Sequence, residues 1–212
     1  MNDGIIELLH DDEARLRAGA LFGNPGDSLS LRIPGREELV LVTPEGPDPA
    51  AFPFKATGLE AADLHATIYR HRKDAGGILV GQTPWSAALA SVGAKIPALF
   101  DEQARHIGSA GAPIPKGDHE RLLRALGRGA NVAIYGDCRI CIGTTPNRVV
   151  FNAELFEKCA KAFVIACADG GRIRELPSWV RRVAGTRLRR DQNRAASSYA
   201  AGRIPEGMDG YG

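Results

Sequence analysis

GGILVGQTPWSAALA, residues 76–90, is the stretch that most constrains how this chain can fold. Gly76 to Gly81 is an apolar run with glycine at each end, and it reads as a buried strand. Thr83 and Pro84 then make a strong helix start. A capping hydroxyl is followed by a proline at the first helical position, where its missing N–H costs nothing. A strand that ends in a small-residue turn before a helix is a common seat of chemistry. Here the turn offers little of it: Val80, Gly81 and Gln82 supply one amide side chain between them.

The 212 residues are 44% apolar and 25% charged, an ordinary globular balance that fits one large domain. The net charge of +2 is too mild to argue for nucleic acid as a partner. No apolar run approaches the ~20 residues of a membrane span, and MNDGIIELLHDDEARLRAG carries acids where a signal core would be apolar. The chain therefore reads as cytoplasmic. Four cysteines (Cys138, Cys141, Cys159, Cys167) do not suggest a disulfide scaffold.

Along the chain, residues 5–20 read as an amphipathic helix and 29–44 as a β-hairpin around GREE. EGPDPAAFPF (45–54) is too proline-rich for a regular element. A helix is predicted over 60–72, then the strand and helix above, a short helix near 100–106, and one from Asp118 to about 127. NVAIYGDCRICIG (131–143) reads as two strands meeting at Gly136–Asp137. Asn152 is the predicted cap of a helix over 153–168. The remainder is arginine-rich, helical in its first part, and its last ten residues read as a flexible or partner-held tail. Helices interleaved with hairpins argue for a single α/β layered domain.

Candidate chemistry has a plainer reading at each place. Cys138-x-x-Cys141 lacks the second pair a zinc site needs, and in a strand the two would point to opposite faces, so both read as packing residues. His65 lies on the apolar side of its helix and reads as a packed, hydrogen-bonded histidine. His10, His71 and His119 read as solvated, while His106, before a glycine turn, stays a candidate site residue. GNPGDS (23–28) could cradle an anion with backbone N–H groups, yet Asp27 would repel a phosphate, and a plain turn explains it equally. Arg181, Arg182, Arg187, Arg189 and Arg190 read as a solvated face or a subunit contact, with anion recognition second.

Several segments together resemble the class II aldolase/adducin family. FGNPGDSLSLRIPG is similar to its early glycine loop and strand, LVTPEG to its next turn, and LHATIYRHRKDAGGILV to its helix and following strand. PWSAALASVGAKIPALFDEQARHIG is similar to the next helix and loop, and LLRALGRGANVAIYGDCRICIGTTP with AELFEKCAKAFVIA to the last hairpin and helix. The match runs from about residue 5 to 170. It implies a three-layer α/β/α domain around a largely antiparallel sheet over 1–175. The arginine-rich extension 176–212 is part of the same domain or an oligomer contact. A tetramer with its site at the subunit boundary is also implied.

In the family's enzymes a divalent metal held by three histidines polarises a carbonyl or enediolate oxygen. Aligned on Pro84, Val80 and Gln82 stand at two of the ligand positions; counting back from Gly143 puts Asp137 at the third. The resemblance thus implies a divergent member without the metal ligands. The acid/base glutamate position is Ala61, with Glu60 one residue away. The implied ligand-binding positions are Gly26, Asp27, Ser28, Arg32, Thr43, Gly46, Thr57 and Gly58; no metal or other cofactor is assigned. Two functions follow. One is a lyase or decarboxylase of altered chemistry on a small carbonyl or carboxylate compound, using Asp137, Gln82, Glu60 and His106. The other is a non-catalytic, adducin-like oligomerisation or binding protein.

Overall fold

The computed structural model describes residues 3–46, 48–127, 129–170 and 173–206. Six strands form one sheet: β1 (Ser28–Arg32), β2 (Glu38–Val42), β3 (Ala50–Pro53), β4 (Gly77–Gly81), β5 (Val132–Tyr135) and β6 (Cys138–Gly143). Their order is β3-β2-β1-β4-β6-β5, and every neighbouring pair is antiparallel. The helices are α1 (Asp3–Ala18), α2 (Glu60–His71), α3 (Pro84–Val92), α4 (His119–Gly127), α5 (Pro146–Ala168) and α6 (Ser178–Ala200), with a π-turn at Gln103–Ile107.

The sheet is covered on both faces, which is why its inner strands read as apolar runs. Residues along a strand alternate between faces. Leu29, Leu31, Leu79, Ile134 and Cys141 join a core with Leu9 and Leu16 of α1, Leu89 of α3 and Phe156 of α5. The intervening Ile78, Val80, Ile140 and Ile142 join a second core with Ile68 and Tyr69 of α2 and Leu122 and Leu126 of α4. The expected three layers and antiparallel sheet are present. Cys138 and Cys141 fall in different cores, as their spacing predicts.

Three local expectations are corrected. The stretch 45–54 does contain a strand: β3 pairs with β2 through Leu39↔Phe52, and Pro53 sits at the end of an edge strand, where a missing N–H is tolerated. The cap of α5 is Thr145, whose hydroxyl accepts from Arg148 N–H at 3.2 Å, followed by Pro146. That is the same Thr-Pro signal as Thr83-Pro84. Asn152 is buried inside the helix and donates to the Ile142 carbonyl at 2.7 Å. The helical part of the arginine-rich extension runs on to Ala200, burying Ala184, Leu188, Gln192, Ala195 and Tyr199 at helical spacing. Most of the expected tail, 207–212, lies outside the described residues.

Candidate functional site

Antiparallel pairing sorts the candidate residues by end of the sheet. Ser28 pairs with Val80 and Leu29 with Val42, so the 23–28 loop, the 43–46 turn and Gln82 share one end. The β5–β6 turn, Gly136–Asp137, closes at the same end, since Gly81 pairs with Arg139. Gly136 takes φ +63, the conformation a two-residue hairpin needs at its first loop position. Gln82 Nε2 donates to Asp137 Oδ2 at 2.8 Å, and Asp137 is exposed.

The glycine loop is closed by its own acid. Asp27 is 1% exposed, and its Oδ2 accepts from the Gly23 and Asn24 N–H groups at 2.9 Å each. Its Oδ1 accepts from Gln82 N–H at 3.1 Å, and Asn24 Nδ2 donates to the Gln82 carbonyl at 3.0 Å. Gly81 must be glycine here, because a Cβ would collide with the Asp27 carboxylate. Gly26, with φ +85, carries the turn. A second cradle is closed the same way. Asp63 on α2 accepts from Thr57 N–H at 2.6 Å, from the Thr57 hydroxyl at 2.8 Å and from Gly58 N–H at 3.1 Å. Those hydrogen bonds hold its carboxyl below the usual range. Thr43 and Gly46 close their own turn through a 3.2 Å backbone bond.

Glu60 opens α2 at this end and pairs with Lys116 at 3.2 Å, both side chains well exposed. Lys116 lies against the β5–β6 turn: a Cβ on Gly136 would meet its Cβ at 3.2 Å. Its pKa is raised, chiefly by the hydrogen bond and charge of Glu60 and to a lesser degree by Asp137. Nothing in the motif PIPKGD marked this lysine. Glu157 was also missed; its Oε2 accepts from the Thr83 hydroxyl at 2.6 Å and so fixes the start of α3 from α5.

Ser28 and Ser30 face α2 and sandwich the His65 ring, Nε2 to Ser28 Oγ at 2.9 Å and Nδ1 to Ser30 Oγ at 2.6 Å. His65 is fully buried, and burial pulls its pKa down to about 3, so it is neutral. Arg32 stands at the opposite end of β1. Its guanidinium donates to the carbonyls of Ala75 (2.7 Å), Tyr69 (3.0 Å) and Arg72 (3.0 Å) and lies over the rings of Phe54, Tyr69 and Tyr199. His106 is likewise remote from Asp137. Asn131, at the other end of β5, donates to its carbonyl, and Arg148 meets its Nδ1 at 3.1 Å. Burial, then Arg148 and Arg105, hold its imidazole down to about 4. The structure thus gathers Gln82, Asp137, Glu60 and the three loops, and leaves His106 and Arg32 outside.

The set Val80, Gln82, Asp137 does not fit a metal. Val80 is a buried hydrocarbon, Gln82 a neutral amide, and one carboxylate is too few donors for a transition-metal ion.

Residues 33–164 match the family described as Class II Aldolase and Adducin N-terminal domain, and the chain belongs to that family. No curated protein matches the sequence. Solved structures share the fold. L-fuculose 1-phosphate aldolase from Glaciozyma antarctica PI12 superposes with a TM-score of 0.73 at 16% identity, over 92% of this chain and 86% of that one. Another L-fuculose 1-phosphate aldolase gives 0.76 at 14% identity, over 89% and 98%. An aldolase II superfamily protein from Pseudomonas syringae gives 0.63 at 15%, over 94% and 93%.

Proposed function

We propose that this protein is an enzyme of the carbon–carbon lyase type, acting on a small carbonyl or carboxylate compound that carries no phosphate. One observation carries the reading: Gln82 and Asp137, from separate strands, meet at 2.8 Å on the accessible end of the sheet where the loops converge. An amide that donates to one carboxylate oxygen orients the other as a general base. Asp137 takes the proton of a substrate hydroxyl. The oxygen's electrons form a carbonyl as the carbon–carbon bond breaks, and the bonding pair moves onto the neighbouring carbonyl as an enolate. Lys116, held by Glu60 beside the same turn, supplies the positive charge that enolate requires. A proton returns to the enolate carbon to complete the cleavage. No step runs through a metal, since the donor set does not suit one.

The absence of phosphate from the substrate rests on Asp27 and Asp63, which already occupy the backbone donors of both loops. With this reading go a homo-oligomeric, tetrameric assembly, carried over from the family resemblance, and a cytoplasmic location, carried over from the acidic N-terminal stretch and the lack of a long apolar run. No helix among the described residues is long and apolar enough to cross a membrane.

The test is proton NMR in deuterated water with a panel of β-hydroxy ketones and β-hydroxy acids. Cleavage into two fragments, with deuterium at the former enolate carbon, is expected, and Asp137→Asn should abolish it. A panel left intact by the wild-type protein removes the lyase reading. A non-catalytic, oligomerising role would then stand. That second reading is favoured by the same bond seen differently: Gln82 and Asp137 satisfy each other.

A further inference from the structure

A cavity of ≈ 710 Å³ opens between the first half of α6, the π-turn, the end of α4 and the segment 95–111. It is at the far end of the sheet from Asp137, because Gly129 and Ala130 on its wall lead into the start of β5. Much of the wall is small: Ala98, Ala104, Gly108, Ala125 and Gly129. The charge around it is one-sided. Lys95, Arg181, Arg182 and Arg189 face a single acid, Glu175. Arg181 is matched by Glu175 at 2.6 Å. Lys95, Arg182 and Arg189 have no carboxylate within ion-pair distance among the described residues.

Gly185 adds an independent observation. It sits in the middle of a 23-residue helix, where glycine weakens the helix relative to alanine. Crowding does not require it: a Cβ there would meet nothing within 4 Å. Gly185 lines the cavity between Arg182 and Arg189, and the space above its Cα is open. These two arginines are seven residues apart, two turns on one face, about 10 Å along the axis.

We infer that this cavity is a second ligand site, for an elongated organic anion with an acidic group at each end, the two ends bound by Arg182 and Arg189. Guanidinium groups suit carboxylate or phosphate ends alike through paired N–H donors. Lys95 contributes a third charge, and the middle of the ligand lies over the small residues. The inference does not depend on the lyase reading, which concerns the opposite end of the sheet.

Titration calorimetry on the full chain tests it, with fructose 1,6-bisphosphate as the two-ended probe and inorganic phosphate as the one-ended one. The bisphosphate should bind roughly tenfold or more tightly than phosphate, because its second end binds at high effective concentration. Added salt should weaken it. The double variant Arg182→Ala/Arg189→Ala should lose binding. Gly185→Leu should block it while keeping every charge, and Gly185→Ala should leave it nearly intact. No heat from either probe, equal affinity for both, or binding indifferent to the double variant would overturn the proposal. Should Gly185→Leu fail to fold, the double variant still decides, since both arginines are exposed.

Discussion

Asp27 Oδ1 accepts the backbone N–H of Gln82 at 3.1 Å, so one buried carboxylate joins the early glycine loop to the end of the central strand. Its other oxygen holds Gly23 and Asn24. Removing it leaves three N–H donors without their acceptor. Asp27→Ala should lower stability by roughly 2–3 kcal/mol in urea unfolding, and Asp27→Asn, which keeps an acceptor oxygen, by less. Inorganic phosphate should then raise the Tm of Asp27→Ala by more than it raises that of the wild type. An alanine variant as stable as the wild type would show that the carboxylate does not close this loop.

Arg72 ties three elements together behind the second core. It pairs with Asp74 at 2.7 Å and donates to the carbonyls of Leu126 and Ala130 and to Asn131 Oδ1. Removing one partner of a buried pair strands the other, so Arg72→Ala should cost about 3–5 kcal/mol. Arg72→Lys should recover little, because an ammonium cannot reproduce the planar fork of donors. Thermal unfolding of the two variants checks both statements; full recovery by lysine would reduce Arg72 to a point charge.

His65 sets a pH dependence with a definite sign. Its folded value of about 3 lies below the free value of 6.5, so between these values the unfolded chain binds more protons. Stability should be level above pH 6.5 and fall as pH drops below it, by up to ~1.4 kcal/mol per unit from this group. His106, held at about 4, acts in the same direction over the upper part of that window. Urea unfolding across the mildly acidic range measures the slope, and His65→Asn should flatten it. A wild-type profile that stays level down to pH 4 or so would mean that His65 carries a proton when folded.

Much of the layer structure was readable because it follows from local patterns. The apolar run before Thr83-Pro84 is β4 and α3, and Gly136–Asp137 is the hairpin turn, with Cys138 and Cys141 on opposite faces. β3 was not readable, since its only support is pairing with β2, and a proline-rich edge carries no periodicity. Arg139 was not readable either. It is fully buried, donates to the Leu21 carbonyl, and leaves Nε and Nη1 without a hydrogen bond among the described residues. Composition places arginines outside. For the site, the alignment with the family brought Gln82 and Asp137 together, whereas the grouping with His106 and Arg32 ignored strand direction. Asp27 reads from sequence as a charge that would repel phosphate; in the structure it is the acceptor that uses the loop's own N–H donors.

The carboxylates of Asp27 and Asp63 amount to tethered competitors. Any free anion seeking the N–H groups of Gly23 and Asn24, or of Thr57 and Gly58, must displace a side chain a few residues away in sequence. Such a neighbour competes at an effective concentration on the order of millimolar or above. In the proposed function, discrimination against phosphate esters would thus come from the backbone of the site. It would operate however well the rest of such a molecule matched the pocket.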